Sequence, residues 1–142
     1  MSMAVIFDES TRTLLDGKNF ATVATLNPDG GPQASAVWFR RADDQRAGDV
    51  IEFSVTVDKR KARNLLRDPR ISVTVYDTAN PYQSVEIRGV AELVEDQAKE
   101  LPLALSQRYL GADPPPEPDE VKRLIVRVIP ERVNAFSPPA QS

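Results

Sequence analysis

The stretch Phe20–Phe39, FATVATLNPDGGPQASAVWF, predicts two β-strands joined by a tight turn. Residues 20–26 are rich in β-branched and apolar side chains, and residues 33–39 continue with an alternating pattern. Residues 27–32 lie between them and read NPDGGP, the densest cluster of turn-forming residues in the chain. A strand, a turn and a strand in this order predict a β-hairpin.

On both sides of this hairpin the sequence continues with strand and helix patterns. Further strands are predicted over residues 50–55, 70–76, 85–93 and 124–128, the last broken at Pro130, with a polar tip at residues 43–49. Helices are predicted over residues 8–17, 58–67 and 97–109, with Asp8 or Ser10 capping the first and Asp96 capping the third. Six strands in hairpin-like succession predict a mainly β fold, an antiparallel barrel with helical caps, rather than a βαβ series.

Length and composition limit the function of the chain. Its 142 residues predict a single domain over 1–142, with a core over about 7–133 and a loose tail at 137–142. The formal charge of -3 does not favour nucleic-acid binding, which requires a basic surplus. No leader pattern is present and no apolar run approaches the ~18 residues that a spanning helix needs, so we expect a cytoplasmic protein outside the membrane.

The chain contains neither histidine nor cysteine. This excludes a Ser-His-Asp triad, a thiol nucleophile and a histidine- or cysteine-based zinc centre, and we expect no metal site. The glycine patterns GxGxxG and GxxxxGK[ST] are also absent. The chemistry must therefore come from a bound cofactor or from carboxylate, lysine and tyrosine side chains, and no catalytic residue is assigned.

Four cations crowd the start of the second predicted helix, which reads DKRKARN over residues 58–64. Cations at a helix N-terminus cost ~0.3–1 kcal/mol each, because that end carries a partial positive charge. A bound anion, most naturally a phosphate, would compensate through backbone N–H groups and the cations, with hydroxyls from Ser54 and Thr56 nearby. The alternative is a solvated basic face in which Asp58 caps the helix and Glu52 or Asp68 balances the charge.

Several motifs together resemble the pyridoxamine 5'-phosphate oxidase-like split-barrel superfamily, and within it the class B deazaflavin (coenzyme F420)-dependent reductases. The similarity covers roughly residues 7–133 and depends on the order and spacing of five runs. These runs are FATVATLNPDGGPQ (20–33), VWF (37–39), IEFS (51–54), KRKARNLLRDPRISV (59–73) and VEIRG (85–89).

The resemblance implies a six-stranded split β-barrel of the FMN-binding type that forms a homodimer with two flavin or deazaflavin sites at the interface. Arg60 and Lys61 would hold the cofactor phosphate, with Lys59 and Ser54 beside them. The other implied contacts are Gln33, Ser35 and Val37 along the ring, Trp38 near the ring or at its edge, and Asn80, Tyr82 and Arg88 reaching in from the partner subunit.

Each of these residues also has a purely structural interpretation. Gln33 and Ser35 would be the polar face of a half-buried strand, Trp38 a core or dimer contact, and Tyr82 part of a turn. Arg88, which follows Glu86 on an alternating strand, would form a cross-strand or interface ion pair of small value.

The resemblance implies an F420H2-dependent reductase that transfers hydride to an unsaturated small-molecule acceptor. The alternatives are an FMN-dependent oxidoreductase of the same superfamily and a non-catalytic protein that binds a flavin-like ligand.

Overall fold

This computed structural model describes residues 4–136 of the chain. Within this range it contains seven strands and three helices. The helices are α1 (Glu9–Asp16), α2 (Arg60–Arg67) and α3 (Glu100–Leu110). The strands are β1 (Ala21–Leu26), β2 (Pro32–Val37), β3 (Arg40–Asp44), β4 (Gly48–Thr56), β5 (Arg70–Tyr76), β6 (Ser84–Glu95) and β7 (Arg123–Phe136). The predicted tail, residues 137–142, lies outside the described residues.

The strands form one antiparallel sheet in the order β2-β1-β5-β6-β7-β4-β3. The predicted hairpin is confirmed, because β1 pairs with β2 from Ala21 opposite Val37 to Leu26 opposite Pro32. In its turn the N–H of Asn27 donates to the carbonyl of Gly31 at 2.8 Å, and Gly30 has a φ of +87°, which glycine adopts without a steric cost.

The prediction of six strands is wrong, because the described chain has seven and the sheet is open. Residues 33–39 were expected to be one strand, but β2 ends at Val37 and a separate strand, β3, begins at Arg40. Only Trp38 and Phe39 separate these two strands, which are the two edges of the sheet. The sheet therefore curls until its two edge strands, β2 and β3, meet at this point. No hydrogen-bond ladder joins these two strands, and this is the geometry of a split barrel.

The prediction that the last strand breaks at Pro130 is also wrong. Strand β7 continues from Arg123 to Phe136, and its pairing with β6 shifts register where Gly89 lies opposite Pro130. Proline has no N–H to donate, and a bulge accommodates this missing donor. A side chain on Gly89 would place its Cβ 2.0 Å from the carbonyl oxygen of Ile129, so glycine permits the close approach.

The predicted helices are confirmed with small shifts of their ends. Asp8 caps α1 by accepting from the N–H of Thr11 at 2.8 Å. Helix α3 begins at Glu100 rather than Gln97, but the Asp96 carboxylate still accepts from the N–H groups of Glu100 and Leu101 at 2.9 and 3.0 Å. None of the three helices in residues 4–136 is long and apolar enough to cross a bilayer.

A continuous apolar core lies against the inner face of the curled sheet. Its fully buried members include Val23, Phe39, Phe53, Val73 and Ile87. Helix α2 contributes Ala62 and Leu65 to this core and so is held against β1 and β4. The packing positions the cationic start of α2 next to the hairpin.

Asp49 is a fully buried carboxylate that ties the N-terminal segment to the sheet. It accepts from the N–H of Phe7 at 2.7 Å and from the guanidinium groups of Arg41 at 2.8 Å and Arg12 at 3.1 Å. Burial raises the pKa of Asp49, but the hydrogen bonds from Phe7, Arg41 and Arg12 outweigh it and hold the pKa below its ordinary value. The carboxylate is thus ionised and fully paired.

Candidate functional site

The start of helix α2 has no side-chain cap. Lys59 occupies the N-cap position without a side-chain hydrogen bond to the helix, and the first turn contains no acidic residue. The Asp58 carboxylate accepts instead from the hydroxyl of Thr56 at 2.6 Å. The alternative in which Asp58 caps this helix is therefore wrong.

The other carboxylates that could balance this charge are paired elsewhere. Glu52 accepts from Arg40 at 2.9 Å and from Arg127 at 3.2 Å, and Asp68 pairs with Arg70 at 2.7 Å. Asp58 lies close enough to Lys59 for the cation to lower its pKa, although the Thr56 hydroxyl lowers it more. Within the described residues, the positive charge at the start of α2 is therefore balanced only by Asp58, which is exposed.

Lys61 is the cation of this group that points inward. It is half-buried, and its Nζ lies 3.3 Å from the Oγ of Ser35 on β2. No carboxylate among residues 4–136 forms a salt bridge with it, and burial, followed by repulsion from Lys59, lowers its pKa. Lys61 thus joins the predicted phosphate-binding segment to the predicted ring-binding strand, which are 26 residues apart in sequence.

Three of the predicted ring contacts share one face of β2. Gln33, Ser35 and Val37 are half-buried and lie opposite Thr25, Val23 and Ala21 of β1, which are all buried. The Oε1 atom of Gln33 is buried and has no hydrogen-bond partner within the described chain. A buried acceptor without a donor costs about 1–3 kcal/mol, so this face is suited to receive a ligand N–H group.

The edge of this strand face is aromatic. Trp38 stacks on Tyr109 of α3 with ring centroids 5.2 Å apart and an interplanar angle of 5°, and Phe20 stacks on the same ring at 5.8 Å and 19°. The sequence pattern does not indicate a role for Tyr109, which is 71 residues from Trp38. Its place at the end of an amphipathic helix gave no sign of this contact.

The remaining predicted site residues are not joined to Lys61 or β2 by any hydrogen bond within the described chain. Ser54 accepts from Arg123 at 3.3 Å, and Lys59 and Arg60 are exposed at the helix start. Asn80 and Tyr82 lie in an exposed turn, with Tyr82 72% exposed. Arg88 is exposed and pairs with Glu86 at 3.3 Å. Their roles in binding stay predictions.

Comparison with known proteins agrees with the resemblance in sequence. The family model of pyridoxamine 5'-phosphate oxidase matches residues 7–137, almost the whole chain. The chain therefore belongs to the pyridoxamine 5'-phosphate oxidase family, a family of oxidoreductases.

Individual relatives extend this result. A pyridoxine/pyridoxamine 5'-phosphate oxidase of Cupriavidus metallidurans is 30% identical over 90 residues, which are 63% of this chain but only 40% of that protein. The structure of an F420 reductase is similar with a TM-score of 0.79 and 32% identity, covering 90% of this chain and 98% of the reductase. A conserved hypothetical protein of Mycobacterium tuberculosis is similar with a TM-score of 0.75 and 26% identity, covering 100% of this chain and 94% of its own.

Proposed function

We propose that this protein binds coenzyme F420 and acts as a reductase of an unsaturated small molecule. The observation that carries the proposal is Lys61, a half-buried cation without a carboxylate partner in residues 4–136, which faces Ser35 on the hairpin strand. Burying an unpaired charge is unfavourable unless a ligand supplies the partner. An anionic or electron-rich group between α2 and β2 would do so.

The residues present fit a flavin-like cofactor. Such a molecule carries a phosphate, ring carbonyl oxygens and a ring N–H group. Lys59, Arg60 and Lys61 supply cations for the anionic end, and the buried Oε1 of Gln33 supplies an acceptor for an N–H donor. Ser35 and Val37 complete a half-buried strand face on which a flat ring can lie.

The composition of the chain determines what the protein and the cofactor each contribute to the reaction. With no histidine or cysteine, the protein binds and orients the cofactor and excludes water from it. When bound in its reduced form, F420 supplies a hydride to the acceptor. The proton comes from solvent or from Tyr82, which is exposed.

Two cofactors are candidates, and a specific observation favours each. The 32% identity to an F420 reductase, over 98% of its length, supports F420. The match to the pyridoxamine 5'-phosphate oxidase family, which is typically flavin-binding, supports FMN as the second candidate. Oxidation of pyridoxamine phosphate itself is less well supported, because the matched region spans only 40% of the curated oxidase.

Titration with oxidised F420 and, separately, with FMN tests the proposal. We expect F420 fluorescence to change saturably, with one binding site per chain, and FMN to bind more weakly. Tighter binding of FMN would replace F420 with the second candidate. Binding of F420 together with no oxidation of reduced F420 (F420H2) by quinone and enone acceptors would identify a carrier, and binding of neither cofactor would contradict both functions.

A variant of Gln33 checks where the ring lies. Gln33→Leu removes the buried acceptor and keeps the size of the side chain, so a ligand N–H would lose its partner. We expect F420 to bind about 5- to 30-fold more weakly, the equivalent of about 1–2 kcal/mol for one buried hydrogen bond. The exposed Gln45→Leu is the matched control and should bind F420 as the wild type does.

We also propose that the protein is a homodimer with its cofactor sites at the subunit interface. Tyr82 is 72% exposed, and Arg88 borders an open cavity of about 590 Å³ on the outer face of the sheet with Ser72 and Arg132. These side chains are therefore accessible to a second chain. Sedimentation at micromolar concentration should give twice the mass of one chain, and the mass of a single chain would contradict the dimer.

A further inference from the structure

Asn64 is a fully buried polar side chain in the middle of helix α2. Asparagine is a weak helix former, and a buried amide is unfavourable unless it is hydrogen-bonded. The Nδ2 group of Asn64 donates to the Oγ1 of Thr25 at 3.0 Å and to the Oδ1 of Asn27 at 3.0 Å. Thr25 lies near the end of β1, and Asn27 lies in the turn that follows. Asn64 therefore ties helix α2 to the hairpin.

Arg67 adds a contact to the same part of the hairpin. Its guanidinium donates to the carbonyl of Leu26, which lies between Thr25 and Asn27, and to the Oδ1 of Asn64 at 3.4 Å. Three consecutive hairpin residues are thus bonded to side chains of α2. An asparagine amide has two N–H groups, and both of those of Asn64 are used in these contacts. The side chain has no N–H group left to donate to a ligand.

The contacts of Asn64 lie next to two groups of the proposed cofactor site. On α2, Asn64 comes three residues after Lys61, which is the spacing of neighbours on a helix surface. On the hairpin, Thr25 lies directly opposite Gln33 in the register of β1 and β2. Gln33 carries the buried Oε1 atom without a partner in the described chain, and Lys61 is the cation that points inward. The link through Asn64 therefore connects the elements that carry these two groups.

Lys61 by itself holds α2 only weakly against β2. It makes one hydrogen bond, at 3.3 Å, to the neutral hydroxyl of Ser35, and it is repelled by Lys59. A carboxylate at position 64 would neutralise part of the positive charge that a ligand anion is proposed to meet. The uncharged amide of Asn64 holds the helix in place and leaves that charge available.

We propose that Asn64 is a positioning residue of the cofactor site, which sets the separation between the Lys61 ammonium and the Gln33 Oε1 atom through its hydrogen bonds to Thr25 and Asn27. This inference rests on the proposed function, because it requires that one ligand meets both groups. Asn64 is fully buried and both of its N–H groups are used. It therefore acts through Lys61 and Gln33 rather than by touching the cofactor.

Replacing Asn64 by leucine removes both hydrogen bonds and keeps the approximate size of the side chain. In the ligand-free protein we expect the backbone amides of residues 27–31 to exchange hydrogen about 5- to 30-fold faster, because α2 no longer holds the turn. We expect oxidised F420 to bind about 5- to 30-fold more weakly. Asn19→Leu is the matched control and should change neither quantity. Asn19 is also a buried asparagine, but its partners Leu14 and Thr78 lie outside α2 and the hairpin.

A double-mutant cycle separates positioning from a general loss of stability. If Asn64 acts by placing Lys61, Asn64→Leu should weaken F420 binding by less than about 3-fold in a Lys61→Met background, because the charge that it positions is gone. Thr25→Val is a milder variant that keeps the test available if Asn64→Leu does not fold. It removes one of the two acceptors and should weaken F420 binding by about 2- to 5-fold.

Three results would overturn the proposal. The first is equal F420 affinity of Asn64→Leu, Thr25→Val and the wild type. The second is an equal loss of affinity from Asn64→Leu with and without Lys61→Met, which would show that Asn64 supports only the overall fold. The third is unchanged hydrogen exchange of the turn in Asn64→Leu, which would show that Asn64 does not hold the hairpin.

Failure of the proposed function is measured separately, with the wild type. If the wild type bound neither F420 nor FMN, the proposed function would be contradicted. Faster exchange of residues 27–31 in Asn64→Leu would then still support the link between α2 and the hairpin, and unchanged exchange would overturn it. If the wild type bound F420 and Asn64→Leu bound it equally well, the proposed function would stand and the positioning role would be overturned.

Discussion

Replacing Lys61 by methionine is expected to weaken the binding of oxidised F420 by about 10- to 100-fold and, at the same time, to raise the melting temperature of the ligand-free protein. The loss of affinity corresponds to one charge-assisted hydrogen bond of about 1.5–3 kcal/mol. The gain in stability has a separate cause. In the free protein the Lys61 ammonium is half-buried, repelled by Lys59 and without a carboxylate partner among residues 4–136, so removal of its charge relieves a cost.

These opposite signs make the Lys61 experiment decisive. Fluorescence titration gives the affinity, and thermal unfolding followed by circular dichroism gives the melting temperature. Lys18→Met is the matched control, because Lys18 is an exposed lysine between α1 and β1, outside helix α2 and strand β2. If Lys61→Met raised the melting temperature but bound F420 like the wild type, the helix start would be a solvated basic face rather than an anion site.

Replacing Asp49 by asparagine is expected to lower the free energy of unfolding by about 3–5 kcal/mol, the usual cost of removing one partner from a buried ion pair. The Asp49 carboxylate is fully buried between Arg12 and Arg41, and asparagine would leave both guanidinium groups facing a neutral amide. Urea unfolding at neutral pH measures the change. The control is Asp43→Asn, which removes the negative charge from the exposed partner of Arg41 and should cost less than about 1 kcal/mol.

Acid unfolding gives an independent check on Asp49. The pKa of Asp49 in the folded protein is below its unfolded value of about 3.9. Its contribution to stability is therefore complete above that unfolded value and is lost as the pH falls through the folded pKa. We expect Asp49→Asn to lose less stability than the wild type between pH 5 and pH 2. Parallel stability curves, with equal urea midpoints, would contradict a stabilising role for this carboxylate.

The hairpin shows what local sequence could predict. Residues 27–31 contain the proline, aspartate and glycines that a tight turn requires, and the strands on either side pair in the expected register. The capping of α1 by Asp8 and of α3 by Asp96 was predictable for the same reason, because a cap acts on N–H groups three to five residues away. The family was predictable as well, since its motifs are short and keep their order along the chain.

Strand β3 shows where local pattern fails. Its sequence, RRADD, has four charged residues in five and is typical of a loop. It is a strand because Arg40 pairs with Glu52 and because Arg41 reaches Asp49, contacts that form only when β4 lies alongside. Pro130 is the converse case. Proline normally ends a strand, but the bulge opposite Gly89 on β6 allows β7 to continue beyond Pro130.

The sequence alone determined the class of fold, the family and the excess of positive charge at the start of α2, because turns, caps and charge runs act over a few residues. Only the tertiary structure decided which of those cations is half-buried, that Lys61 meets Ser35, and that Trp38 stacks on Tyr109. These contacts join segments 26 and 71 residues apart. Their partners are set by sheet order and strand curvature, which depend on the packing of the whole core.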